Sequence, residues 1–188
     1  MATPRGARTT KAVRKPMKAG KKPAQRAQRA SRTAAARTVS ARPTAANDHE
    51  GVRHVLTRYC HALDRGRLDE VGALFHRDAV FSVSFEGGQQ HTGRAAIQAW
   101  YERFFHERPG QYHHMRHKIF EPLVTVNGVT ATTSTYFDAD SVAAEGTVQV
   151  VAGRYDDTLT KEQGQWFFKE RIITVFYHYS PGNCQEGM

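Results

Sequence analysis

The chain has 188 residues, enough for one domain with a sizeable core. Its net charge of +9 is unevenly distributed: residues 1–47 hold 13 Lys or Arg and no acid, whereas residues 48–188 hold 14 Lys or Arg against 18 Asp or Glu. No segment approaches the roughly 18 consecutive apolar residues that a membrane-spanning helix needs, which argues against a membrane partner. A basic segment is therefore attached to a mildly acidic domain, and the two predict different partners.

The basic segment, residues 1–47, is rich in Ala, Arg, Lys, Thr and Pro and contains no aromatic residue. It is predicted to be disordered, because it buries too little apolar surface to offset the entropy lost on ordering. Three interpretations stay open: weak, sequence-independent binding to polyanions, a targeting segment, or an appendage without function. At the other end, residues 181–188 are predicted to form a flexible C-terminus.

Cysteine use and the N-terminal sequence predict the cellular compartment. Cys60 and Cys184 belong to no paired motif, which argues against a disulfide framework. No charged start followed by an apolar run resembles a secretory signal. We therefore expect a reduced, cytoplasmic protein.

Helical periodicity dominates the first half of residues 48–180, which are predicted to form one domain. Apolar residues recur at helical spacing from Val52 to Leu63, after Asp48 as a candidate cap and before "DRG" at 64–66. "LDEVGALF" (68–75) predicts a short second helix, and "RAAIQAWYERFF" (94–105) predicts a third. Between them, "AVFSVSF" (79–85) predicts a first strand and "EGGQQHTG" a turn-rich link.

After Pro109–Gly110 the apolar period changes to two, as expected for strands. Four strands are predicted, at 112–126, 129–138, 146–160 and 165–179. "NG" at 127–128 predicts a tight hairpin, and Glu121–Pro122 predicts a bulge or bend. The order predicts an α+β fold in which a curved, cone-shaped antiparallel sheet wraps around the helices. The interior of such a cone is where a ligand is expected.

The stretch "YHHMRH" (112–117) contains three histidines, which raises the question of a metal site. Strand alternation predicts that His114 and His117 point to opposite faces. His113 and His117 would lie about 13 Å apart along an extended strand. Zinc requires its ligands within about 2.1 Å of one point, so no metal site is predicted and His117 alone is the candidate.

Several motifs in order resemble SnoaL-like proteins of the nuclear transport factor 2-like superfamily. They are "VLTRYCHALDRGRLDEVGALFHRDAVF" (55–81), Gly93 with Ile97 and Trp100, "RH" (116–117), "GRYDDTL" (153–159) and "GQWFFKERI" (164–172). The resemblance spans about residues 49–177. It is strongest to the branch that contains scytalone dehydratase and bile-acid dehydratase, whose members use a cone-shaped pocket without a metal or an organic cofactor.

The resemblance implies three catalytic residues. A helix tyrosine, an aspartate five residues later and a strand histidine carry out proton transfers in that branch, and the matching positions are Tyr59, Asp64 and His117. Histidine suits the role of base or acid, a carboxylate beside it orients the ring, and a protonated phenol stabilises an enolate. The alternatives from the residues alone are a core tyrosine, a turn-capping aspartate and a core histidine.

Glu121 departs from the family pattern, which often has Asn four residues after the histidine. By strand alternation Glu121 shares the face of His117 and would contact the substrate or shift the pKa of His117. The alternative is that a bulge at Pro122 turns Glu121 out to solvent.

Five further residues are predicted to contact the substrate. Trp100 and Phe104 would form apolar walls, and Tyr136 would line the pocket from the next strand. Arg154 and Arg171 would bind a substrate carboxylate. The alternatives are that the aromatic residues are plain core, and that each arginine pairs with an acid such as Asp156 or Asp157 across the sheet.

The sequence thus predicts a cofactor-independent dehydratase, isomerase or cyclase that transfers protons on a hydrophobic, carbonyl-bearing small molecule. The resemblance also implies a homodimer or homotrimer. The alternative is a module of the same fold without chemistry, such as a small subunit of a ring-hydroxylating oxygenase, because one fold hosts many functions. In a third hypothesis, residues 1–47 bind polyanions, and the only role of the folded domain is to form a dimer.

Overall fold

The computed structural model describes residues 45–107 and 113–183. The predicted disordered segment therefore lies outside the described residues, apart from its last three, which begin the first helix. Most of the predicted flexible C-terminus, including Cys184, also lies outside them. None of the described helices is long and apolar enough to cross a membrane.

Three helices and one short 3-10 turn make up the helical part of the domain. They are α1 (Ala45–Asp64), α2 (Leu68–Ala73), the 3-10 turn (Ser84–Glu86) and α3 (Arg94–His106). Helix α1 begins three residues before the predicted start, so Asp48 lies in its first turn and does not cap it. The Asp48 carboxylate instead binds Lys161 and accepts a hydrogen bond from Trp166 Nε1 at 3.3 Å, which ties the start of α1 to a hairpin of the sheet.

The sheet contains seven strands among the described residues. They are β1 (Phe75–Val83), β2 (Gln90–Thr92), β3 (His113–Ile119), β4 (Leu123–Asn127), β5 (Thr130–Val142), β6 (Thr147–Glu162) and β7 (Gln165–Asn183). Their order is β2-β1-β7-β6-β5-β3, and β4 also pairs with β5. This arrangement confirms the α+β fold class with a curved sheet.

Two details of the sheet differ from the prediction. Strand β1 pairs parallel with β7, so the sheet is mixed rather than purely antiparallel. No hairpin joins these two strands, so nothing forces their directions to alternate. The predicted strand 112–126 is also divided in two. It breaks at residues 120–122, where Pro122 has no N–H to donate and the N–H of Phe120 bonds to the carbonyl of Tyr136 at 3.0 Å.

The predicted apolar stripe of the first helix is buried against the inner face of the sheet. Leu56 and Tyr59 on α1 and Ile97 and Tyr101 on α3 are among the buried core residues. Strands β6 and β7 carry three register shifts, which bend the sheet around these helices. The curvature keeps the far ends of β5, β6 and β7 apart from α3 and leaves a cavity between them.

Candidate active site

A cavity of about 650 Å³ lies between the helices and the inner face of the sheet. Its size falls within the range typical of small-molecule sites. Helices α1 and α3 contribute one wall, and β3, β5, β6 and β7 contribute the other. The apolar part of the lining consists mainly of Leu63, Val83, Phe85, Trp100, Phe104, Phe105, Phe137, Val151, Ile173 and Val175.

His117 lines this cavity and is held by Asp64. Asp64 is the last residue of α1, and its Oδ1 lies 2.6 Å from His117 Nδ1. Both carboxylate oxygens also accept the backbone N–H of His117, at 3.1 and 3.2 Å. One carboxylate therefore fixes the strand and the ring together. Because Nδ1 is engaged, Nε2 is the ring nitrogen available to exchange a proton with a ligand.

Tyr59 lines the same cavity, and its hydroxyl lies 2.7 Å from the hydroxyl of Tyr101 on α3. Burial raises the pKa of Tyr59, although the positive charge of Arg171 partly opposes this. Burial also raises the pKa of Tyr101 well above its usual value. Both phenols therefore stay protonated at neutral pH. One proton is shared between the two oxygens, and the other remains for a ligand.

Arg171 is fully buried and engaged, which corrects the expectation that it binds a substrate carboxylate. Its Nε and Nη2 donate to the two oxygens of Asp157 at 2.7 and 2.8 Å. Burial alone would lower the pKa of Arg171, but the charge and hydrogen bonds of Asp157 raise it overall. The guanidinium lies 3.9 Å from the ring centre of Tyr59 and 4.4 Å from that of Tyr155. Arg171 thus supports the site from beneath Tyr59.

Three other predicted substrate contacts lie outside the cavity. Tyr136 is exposed on the outer face of the sheet, because the neighbouring Phe137 takes the inward position on β5. Arg154 donates to Asp156 at 2.8 Å on that outer face. Glu121 is 75% exposed and pairs with Arg53 of α1 at 2.6 Å, and it is not among the residues that line the cavity. Its ion pair is with the same helix that holds His117, and its carboxylate is engaged outside the cavity.

Trp100 and Phe104 line the cavity, as predicted, and their rings stack with centres 5.0 Å apart. Trp100 Nε1 donates to Glu86 Oε1 at 2.7 Å, and Glu86 Oε2 lies 2.9 Å from His91 Nε2. Burial opposes the ionisation of Glu86, but these bonds lower its pKa overall. The carboxylate of the last residue of the 3-10 turn therefore fixes the aromatic wall in place.

Sequence reasoning missed several residues of the cavity. Tyr101 and Tyr155 join Tyr59 in its deep part, and Phe137 stacks on Tyr155 with ring centres 4.1 Å apart. Strand alternation is the sequence signal that could have identified Phe137, because it places neighbouring residues such as Phe137 and Tyr136 on opposite faces of β5. The opposite part of the lining carries polar groups, namely Asp140, Ser141, Glu145, Gln149 and His178.

The other histidines of the "YHHMRH" stretch lie apart from the site. His113 and His114 are exposed, and a register shift between His113 and Arg116 accompanies a left-handed backbone at His114, with φ of 52°. Strand alternation therefore does not extend through His114 as predicted. The part of the chain that the structure describes contains no group of three or more potential metal ligands.

The chain belongs to the SnoaL-like domain family, whose pattern matches residues 44–172. This match covers more than half of the chain and includes Tyr59, Asp64 and His117. No curated protein matches the chain significantly in sequence.

Solved structures share the fold at low sequence identity. A Novosphingobium aromaticivorans protein provisionally named an aromatic ring hydroxylase is 24% identical, with a TM-score of 0.63 over 73% of this chain and 95% of its own. Another from that organism, provisionally named a scytalone dehydratase, is 21% identical, with a TM-score of 0.63 over 75% and 94%. The hexachlorocyclohexane dehydrochlorinase LinA-type3 of Novosphingobium barchaimii is 14% identical, with a TM-score of 0.61 over 75% and 92%.

Proposed function

We propose that the cavity catalyses cofactor-independent acid–base chemistry, an elimination or isomerisation next to a carbonyl group of a hydrophobic small molecule. One observation carries the proposal. The Asp64 carboxylate lies 2.6 Å from His117 Nδ1, while His117 and Tyr59 line one cavity. A cavity without a chemical role would not require an oriented histidine and a protonated phenol that face the same space.

The three residues divide the chemistry. Nε2 of His117 takes a proton from the carbon next to the carbonyl, and Asp64 stabilises the imidazolium that forms. The hydroxyl of Tyr59 donates a hydrogen bond to the carbonyl oxygen as it becomes an enolate. The imidazolium then returns its proton. Delivered to a departing β-hydroxyl, the proton completes the loss of water; delivered to a more distant carbon, it completes a double-bond shift.

The lining indicates the substrate class. Stacked aromatic rings from α3 and Phe137 on β5 suit a flat ring system, and polar groups on the opposite part of the lining suit hydroxyl or carbonyl substituents. A ring compound with a ketone and a β-hydroxyl combines these features. The names of two structural relatives, scytalone dehydratase and hexachlorocyclohexane dehydrochlorinase, denote eliminations and support elimination as the type of reaction.

The proposal is tested with a panel of cyclic β-hydroxy ketones and β,γ-unsaturated ketones, by following the absorbance of the conjugated enone. We expect wild-type protein to convert at least one compound and His117→Asn to lose activity by about 100-fold or more. The matched control is His54→Asn, which changes an exposed histidine of α1. Equal activity of His117→Asn and wild type would contradict the proposal.

The alternative is an assembly or binding module of the same fold. The observation that favours it is the aromatic wall of the cavity, which would bind a ring compound whether or not the compound reacts. Such a module would bind ring compounds in the cavity without converting them. Binding by both wild type and His117→Asn, with no turnover by either across the panel, would favour the module over the enzyme.

A further inference from the structure

A second histidine, His178, lines the active-site cavity on the side away from His117. It lies on β7, is exposed, and borders the same space as His117 and Tyr59. The chemistry proposed above moves protons with His117 alone. His178 is therefore a titratable group of the cavity that still lacks a role.

A β-bulge on β7 turns His178 towards the cavity. Two adjacent residues of β6 pair with Val175 and Tyr177, so Phe176 between them is an extra residue on β7. In a regular strand Val175 and His178, three positions apart, would face opposite sides of the sheet. Because of the bulge, both side chains line the cavity, whereas Phe176 and Tyr177 are exposed on the outer face.

The bulge depends on Gly153, which is the β6 partner of Val175. A Cβ atom at Gly153 would lie 2.3 Å from the carbonyl oxygen of Thr174 and 2.8 Å from two ring carbons of Phe137. Only glycine therefore fits at this position without a shift of the backbone. The amino-acid sequence thus specifies the bulge, and the bulge specifies the direction of the histidine that follows it.

The two histidines of the cavity lie at the ends of one row of residues across the sheet. His117 on β3 pairs with Ala139 on β5, which pairs with Val151 on β6. Val151 pairs in turn with His178 on β7, and all four residues line the cavity. Three strand spacings separate the two backbone positions by about 14 Å, and the curve of the sheet brings the side-chain ends closer. The small side chains between them leave room for a ring compound.

The end of the cavity at His178 is polar, unlike the aromatic wall on α3. Ser141 and Gln149, which are paired across β5 and β6, line this end together with Glu145. A hydroxyl group of a substrate finds hydrogen-bond partners here, next to an imidazole. An imidazolium is the common side-chain acid near neutral pH, so this end suits a group that must leave with a proton.

We propose that His178 is a second catalytic acid, which protonates a β-hydroxyl group that departs on the side of the substrate away from His117; this rests on the function proposed above. Nε2 of His117 takes the α-proton, and the electron pair of the C–H bond forms the enolate. The electron pair of the breaking C–O bond leaves with the hydroxyl group, which takes a proton from the imidazolium of His178 and departs as water.

The proton balance closes through solvent. Each turnover leaves one more proton on His117 and one fewer on His178, and the net reaction is loss of one water molecule from the ketone to give the enone. His178 is exposed and regains its proton from water. His117 releases its proton when the product leaves and water enters the cavity. Alone, His117 can return a proton only to a group on its own side of the substrate.

The test compares a cyclic β-hydroxy ketone with the β-acetoxy ketone of the same ring, because acetate departs without a proton and hydroxide does not. We expect His178→Asn to eliminate water about 100-fold more slowly than wild type, and to eliminate acetate and exchange the α-protons of the parent ketone within about threefold of wild type. The matched control is His113→Asn, which changes an exposed histidine of β3 outside the cavity lining. His178 is exposed, so its replacement should leave the fold intact.

Three outcomes would overturn the proposal without touching the role of His117. One is loss of water by His178→Asn at the wild-type rate. Another is an equal loss of rate with both leaving groups, which would make His178 a binding residue. The third is a wild type that exchanges α-protons but eliminates neither group. A wild type that neither exchanges nor eliminates would overturn the proposed function as well, so the two failures are distinguishable.

Discussion

Asp64 and His117 are 53 residues apart in sequence, yet one carboxylate holds both the ring and the backbone of the histidine. An acid at the C-terminal end of a helix gains nothing from the helix dipole. The position of Asp64 is explained by His117, because the carboxylate accepts hydrogen bonds from the backbone N–H and from the ring of this residue on β3. This pairing ties α1 to β3 and sets the ring nitrogen that faces the cavity.

Asp64→Asn is predicted to reduce kcat by about 100-fold or more, because an amide can donate to Nδ1 and so favours the wrong tautomer. The backbone of His117 keeps an oxygen acceptor in this variant, so the fold should survive. The measurement is steady-state kinetics on a compound that the wild type converts, together with a thermal unfolding curve. A variant with unchanged kcat and intact fold would show that Asp64 is only structural.

The two bonded tyrosines are predicted to contribute unequally. Tyr59→Phe removes the proposed donor to the enolate and should lower kcat by about 100-fold. Tyr101→Phe leaves that hydroxyl in place and removes only its partner, so we expect about a tenfold loss. The two variants are compared by kcat at saturating substrate. A larger loss for Tyr101→Phe would reverse the assignment and make Tyr101 the donor.

At the residue scale, the sequence predicts the site residues that are recognised by their spacing. It does not predict those whose role depends on how distant elements pack together. The resemblance and the five-residue spacing pointed to Tyr59, Asp64 and His117. Nothing in the sequence distinguished Tyr101 from the other aromatic residues of α3, because its partner depends on how α1 and α3 cross. Arg171 was expected to bind a substrate, but its burial against Asp157 follows from the register of β6 and β7.

At the scale of elements, the hairpins and the helices were predictable and the edge of the sheet was not. Local signals predicted α1, α3 and the turn at Asn127–Gly128, since each depends on neighbours in sequence. The parallel pairing of β1 with β7 joins residues about 90 positions apart and leaves no local pattern. The polar strand β2 also lacks an apolar pattern, and its sequence predicts only a turn-rich link.

The buried pair of Arg171 and Asp157 joins β7 to β6. Arg171→Met leaves a buried carboxylate without its cation and is predicted to cost about 3–5 kcal/mol of unfolding free energy. The double variant Arg171→Met/Asp157→Leu removes both charges and should be more stable than Arg171→Met alone. Urea unfolding of the wild type, both single variants and the double variant measures the coupling. Additive losses would mean that the two charges do not depend on each other.

The link between β3 and β5 is predicted to depend on pH. Hydrogen bonds from Arg116 and then Lys118 hold the pKa of Asp140 at about 2, below the ordinary 3.8, although burial opposes this. Because the folded-state pKa is depressed, the stabilisation is present above about pH 4 and is lost as the pH falls through about 2. Arg116 and Lys118 are largely exposed, so we expect about 1 kcal/mol after solvent screening.

Asp140→Asn removes this contribution. Its stability should fall below that of the wild type by about 1 kcal/mol at pH 7, and the difference should shrink as the pH falls towards 2 and vanish below it. Chemical unfolding at a series of pH values measures the difference. A gap between the two proteins that stays constant from pH 7 to pH 2 would rule out the ion pair as its source.

At the scale of the whole molecule, the two faces of the sheet differ in what they expose. The inner face and the helices enclose the cavity, and the outer face exposes the aromatic rings of Tyr136, Phe176 and Tyr177. Strand alternation divides β5 between the two faces, since Phe137 lines the cavity and Tyr136 is exposed on the outer face. The prediction that residues 1–47 bind polyanions concerns neither face and stays a prediction.

The central claim is that His117 removes a proton next to a carbonyl, and proton exchange tests it without knowledge of the final product. Cyclic ketones that bind the cavity are incubated with the protein in D₂O, and the loss of α-proton signals is followed by NMR. The account predicts exchange catalysed by wild type and by His54→Asn, and exchange at the uncatalysed rate with His117→Asn. Compounds that bind the cavity but exchange no faster with wild type than with His117→Asn would contradict it.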